Sequence, residues 1–66
     1  MDHDHRPFVT VYKPIAGWKA VLITWDEELD EYIPWQTGYF GYDDKSMAIA
    51  DAKSWADAEE IEYREG

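Results

Sequence analysis

The chain is predicted to fold as a small α+β domain: an antiparallel β-meander of three strands, one helix packed on one face of it, and a short fourth strand after the helix. Three observations predict this. Short runs rich in β-branched and aromatic residues recur through the first two thirds of the chain, separated by Pro, Gly and acidic turn signals. From Asp43 onward the apolar spacing changes from alternation to about 3.6 residues, the period of a helix face. The length, 66 residues, leaves room for one domain, and the lack of Cys rules out disulfides, thiolate nucleophiles and Cys-based zinc sites. Eleven aromatic residues (four Trp, five Tyr, two Phe) are one way to make so small a core dense.

Residues 1–7 are polar, carry both histidines and end in Pro7, and they read as a flexible N-terminal arm ahead of a single domain over residues 8–66. His3 stands behind a terminal amine and two backbone nitrogens, a donor set with the square-planar geometry that Cu(II) or Ni(II) favours. Any chain can place His at its third position by chance, so Asp2, His3, Asp4 and His5 are read as solvated residues, and no resident metal or cofactor is expected.

Residues 8–12, Phe-Val-Thr-Val-Tyr, are β-formers of strand length. Lys13-Pro14-Ile15-Ala16-Gly17 supplies a turn, with Pro to set φ and Gly to accept a positive one. Residues 18–25 form the most continuously apolar run, suited to a central strand covered on both faces. Alternation puts Trp18, Ala20 and Leu22 on one face and Val21, Ile23 and Trp25 on the other, and leaves open which set meets the helix.

Residues 26–31 hold five acids, Asp26, Glu27, Glu28, Asp30 and Glu31. Close carboxylates repel, so this loop between the second and third strands should protrude and stay hydrated unless a basic partner neutralises it. It lacks the ligand spacing of an EF-hand. Its two readings are a solvated hairpin and a partner-binding acidic patch.

Residues 32–42 concentrate the aromatic mass and read as the third strand, bent and twisted at Pro34, Gly38 and Gly41. Rings alternating between two faces cannot all be covered by one helix, which makes Tyr32, Trp35, Tyr39 and Tyr42 candidate anchors for a partner. The competing reading assigns each ring to the core.

Asp43 or Asp44 is placed to cap a helix over residues 45–60, an interval without Gly or Pro. Ala48, Ile49, Ala52, Trp55 and Ala56 gather on one side of it, so Trp55 reads as core packing before it reads as a ligand platform. Residues 61–64 alternate again as a short fourth strand, which a right-handed crossover places parallel to the first or the third strand, with the slot beside the first favoured.

A formal charge of −9 disfavours DNA, RNA or an anionic membrane as direct ligands and favours a basic protein surface, including one that itself binds nucleic acid. The apolar runs are shorter than a bilayer span and the first residues do not resemble a secretory signal, so the expected location is cytoplasmic. With both histidines in the arm and no phosphate-binding glycine loop, the chain is not expected to be an enzyme. The leading expectation is a small acidic binding protein that acts by occlusion. In size and charge it resembles, in kind and without a shared motif, the inhibitors that phages deploy against host defence or nucleic-acid enzymes, some of which are DNA mimics. The alternative is an assembly module that forms a homodimer or docks through an aromatic sheet face. Stacking of single-stranded nucleic acid on the rings has suitable rings and unsuitable charge.

Overall fold

The elements form in the expected order. In the computed structural model, which describes residues 5–15 and 17–65, the chain runs β1 (Phe8–Tyr12), β2 (Lys19–Asp26), β3 (Glu31–Thr37), α1 (Lys45–Glu59) and β4 (Glu62–Tyr63). The sheet order is β3-β2-β1-β4, with β1, β2 and β3 antiparallel and β4 parallel to β1. The site considered around His3, the acids Asp2 and Asp4, and Ala16 of the first turn lie outside the described residues.

The third strand is shorter than the aromatic run predicts, and backbone sterics explain why. Pairing of β3 with β2 stops at Thr37 opposite Val21, and Tyr42 returns to bridge Trp18. The chain spends more residues between Thr37 and Tyr42 than β2 spends between Val21 and Trp18, so residues 38–41 loop out. Gly38 begins the loop by donating its N–H to the Ala20 carbonyl at 2.7 Å. A Cβ there would lie 3.3 Å from that same oxygen, a close approach that glycine permits. Earlier in β3, Leu22 pairs with Gln36 and Ile23 with Pro34, leaving Trp35 as the surplus residue of a bulge. Pro34 sits on the edge strand, the place in a sheet where a missing N–H is tolerated.

The turn before β2 needs a positive φ, and Gly17 supplies it at 76°. Asp44 caps α1: its carboxylate accepts from the Ser46 N–H at 3.0 Å and the Ser46 hydroxyl at 2.9 Å. The backbone bond first, and the hydroxyl second, hold this carboxyl below the usual carboxylate range. At the other end Glu60 takes the left-handed conformation (φ 59°) and donates its N–H to the Ala56 and Asp57 carbonyls. That turn delivers Ile61, whose N–H reaches the Ala56 carbonyl at 2.9 Å, directly into β4.

Alternation along the strands divides the sheet into two unlike faces. Val9 opposes Leu22 and Val11 opposes Ala20, and this set meets the helix. Ala48, Ala52 and Ala56 face it, so the buried core is made of Val and Ala, with Trp18, Leu22, Tyr42, Ile49, Trp55, Ile61 and Tyr63 packed around its rim. Val9 is the largest side chain that is fully buried. The alanine stripe allows the helix to lie close to the sheet, which substitutes proximity for bulk. α1 packs on β1, β2 and β4 and does not reach β3. The β3 edge of the sheet therefore has no helix on either side.

Candidate functional site

The face turned away from the helix carries Phe8, Thr10 and Tyr12 from β1 opposite Ile23, Val21 and Lys19 of β2. Thr10, Tyr12, Val21, Ile23, Pro34 and Thr37 line a shallow, apolar depression of about 400 Å³. Val21 is nevertheless well covered, because Thr10 and Thr37 flank it in register on both sides. The Thr10 hydroxyl oxygen is shut off from solvent with no hydrogen-bond partner.

Towards the far end of β2 the same face becomes a ring cluster. Trp25 and Tyr32 meet edge-on at 5.0 Å, and Phe8 and Tyr32 at 5.1 Å. The His5 ring stacks on Trp25 at 3.6 Å and 9°, and the Tyr32 hydroxyl donates to the Arg6 carbonyl at 3.3 Å. Residues 5–7 thus run along one end of the face. The Arg64 guanidinium lies 4.4 Å from the Phe8 ring and pairs at 3.1 Å with Glu62, the β4 neighbour of Phe8 in register.

Beyond Trp25 the hairpin of β2 and β3 turns through residues 27–30. Asp26 organises it: its carboxylate accepts from the N–H groups of Glu28 at 2.9 Å and Leu29 at 3.3 Å, and its carbonyl accepts from Asp30 N–H at 2.8 Å. Asp30 closes the turn with φ 58°, a conformation Asp adopts more readily than most residues. Two of the five acids therefore shape the turn. Glu27, Glu28 and Glu31 are exposed, and no hairpin carboxylate has an ion-pair partner among the described residues.

The four rings singled out from the sequence reach four different places. Tyr32 joins the cluster on the open face. Trp35, at the bulge, is 68 % exposed, and Tyr39 in the 38–41 loop is 90 % exposed. Tyr42 is half-buried, packed against the helix-side core and bridged to Trp18. Sequence reasoning missed Phe8 and Tyr12 as companions of Ile23; their alternation within the first strand was the available signal, lacking only the register.

A second concavity, about 360 Å³, opens where α1 falls short of β3. Gln36, Thr37, Gly38, Tyr39 and Phe40 form one wall; Asp51 and Trp55, one helical turn apart, form the other. Among the described residues no group of three or more His, Cys, Asp or Glu side chains is placed to hold a metal ion, and no helix is long and apolar enough to cross a membrane. No family model, curated protein or solved structure matches the chain, so these surfaces are read from their own chemistry.

Proposed function

We propose that the protein is a non-enzymatic binding protein that covers a basic site on a partner protein, with the open sheet face as anchor and the acidic hairpin as steering element. The observation that carries this is the continuity of the two: Ile23, Trp25 and the turn beginning at Asp26 follow one another along β2, so an apolar surface ends directly at unpaired carboxylates. Apolar anchors slow dissociation, and charges at the rim accelerate encounter with an oppositely charged surface. A basic nucleic-acid-binding groove is the partner chemistry that suits both, and the protein would then compete with the groove's DNA or RNA.

The chain, used as bait in a lysate of the cells that encode it, should recover one protein in preference to others. Glu27→Gln, Glu28→Gln and Glu31→Gln together leave the turn-forming Asp26 and Asp30 in place, and should slow association with that protein about tenfold at low salt. Ile23→Lys should mainly speed dissociation. If the neutralised hairpin associated as fast as the parent at low salt, steering through this loop would be wrong.

A second reading, assembly with another copy of the chain, is favoured by one observation. Lys19 lies on the open face at the opposite end of β2 from the hairpin. A two-fold axis crossing the strands would set each Lys19 towards the other copy's hairpin while the helix-side acids stay apart. Sedimentation at high micromolar concentration should then show a dimer that Ile23→Lys abolishes and Lys19→Glu weakens; a strict monomer over that range excludes this reading.

A further inference from the structure

The groove between α1 and the 38–41 loop borders the open-face depression at Thr37, and the rest of its lining has a chemistry of its own. Three rings reach it from two directions: Tyr39 and Phe40 from the loop, in edge-on contact with each other at 5.2 Å, and Trp55 from the helix. Phe40 is 61 % exposed and Tyr39 more so, so their ring faces are open to a ligand rather than spent on packing. Asp51, half-buried on the same helical face as Trp55, has no cation beside it among the described residues. The lysines nearest the helix are engaged elsewhere: Lys45 Nζ lies 5.0 Å from the Trp18 ring and Lys53 Nζ 5.7 Å from the Tyr63 ring.

Ring faces carry negative electrostatic potential, and a carboxylate beside them adds to it, so the combination attracts a cation whose remaining surface is apolar. A guanidinium is weakly hydrated, stacks on rings and pairs with a carboxylate, and so suits this lining better than a small hydrated ion does. We propose that the groove receives a single arginine side chain from the basic partner, stacked among Tyr39, Phe40 and Trp55 and paired with Asp51. This rests on the partner being basic, as proposed above, and adds which side chain it offers and where.

The test uses the full chain and capped arginine (N-acetyl-arginine amide), followed by NMR through the Trp55 indole N–H and the Gly38 and Tyr39 amides. Saturable shifts confined to the groove are expected with millimolar affinity, together with weaker binding of capped citrulline, its neutral isostere. Asp51→Asn and, separately, Tyr39→Ser should each weaken capped arginine by about threefold or more, in variants whose far-UV circular dichroism matches the parent. Equal shifts from citrulline, shifts confined to the hairpin glutamates, or Asp51→Asn binding like the parent would overturn the proposal. So would shifts at the groove from a short oligothymidylate but none from arginine, which would point to base stacking. Hairpin variants that alter partner association while capped arginine leaves the groove unmoved would refute the arginine site and leave occlusion standing; saturable groove shifts with an unsteered partner would do the reverse.

Discussion

The two faces of the sheet are built from different materials. On the helix side the fully covered residues are small: Val9, Val11 and Ala20 from the sheet against Ala48, Ala52 and Ala56 from α1. On the open side stand Phe8, Tyr12, Ile23, Trp25, Tyr32 and Pro34, with no helix over them. A chain rich in aromatic residues would be expected to fill its core with rings, since these bury the most area. Here the helix approaches closely because its stripe is alanine, and that proximity leaves room for rings only at the rim, where Trp18, Tyr42, Trp55 and Tyr63 pack. The small-residue core thus lies on one face only, while rings are divided between its rim and the open face, so that the core and the open face can be perturbed separately.

The largest effect should come from the helix side. Ala52→Leu inserts bulk where Ala52 is wholly covered, and should cost roughly 1–3 kcal/mol in urea unfolding, because the helix must retreat from β1 and β2. Ile23→Lys on the open face should cost about 1 kcal/mol or less while removing binding or self-association. Equal losses of stability in the two variants would show that the open face is as much a core as the other.

Charge offers a smaller effect. The unpaired carboxylates of the hairpin should repel one another at low ionic strength, so the melting temperature should rise on going from about 0.01 M to 0.15 M salt, as the screening length falls from ~30 Å to ~8 Å. The triple Gln variant of Glu27, Glu28 and Glu31 should respond less. A flat curve for the parent would show that the acids lie too far apart, or too well hydrated, to matter for stability.

The smallest effect concerns a group on the helix side that is covered without being bonded. The Tyr63 hydroxyl oxygen is shut off from solvent and has no hydrogen-bond partner. Burial, with the Glu65 carboxylate as a second cause, raises its pKa above the usual tyrosine value. A raised pKa means that the folded state holds the proton more tightly than the unfolded one. The stabilisation is therefore complete below about pH 10, the ordinary tyrosine value, and is lost as pH rises through the folded pKa. Tyr63→Phe should be neutral or slightly stabilising at pH 7, and should flatten the alkaline fall in melting temperature above pH 10. An unchanged alkaline limb would assign that fall to other groups.

Much of this was legible in the residues. The helix announced itself through the acids Asp43 and Asp44, of which Asp44 is the cap, the alanine stripe and the absence of Gly and Pro, because capping and periodicity act within a few residues of chain. General rules of chain connection left β4 a slot beside the first strand or the third, and the favoured one, beside the first, is the one taken. Which face of β2 meets the helix was not legible, because Trp18, Ala20 and Leu22 are no more apolar than Val21, Ile23 and Trp25. Shape decided it: the Val9, Val11 and Ala20 side matches the close approach of the alanines, a complementarity between elements distant in sequence. The end of β3 was also misjudged from the residues, since aromatic and β-branched composition favours extension beyond Thr37, whereas pairing length depends on where β2 supplies partners. For the same reason the four candidate rings could be named together and yet be dispersed to the open face, the bulge, the 38–41 loop and the core rim. Local preference is written in neighbouring residues, while facing, register and gaps such as the one between α1 and β3 arise only when separate elements are packed against one another.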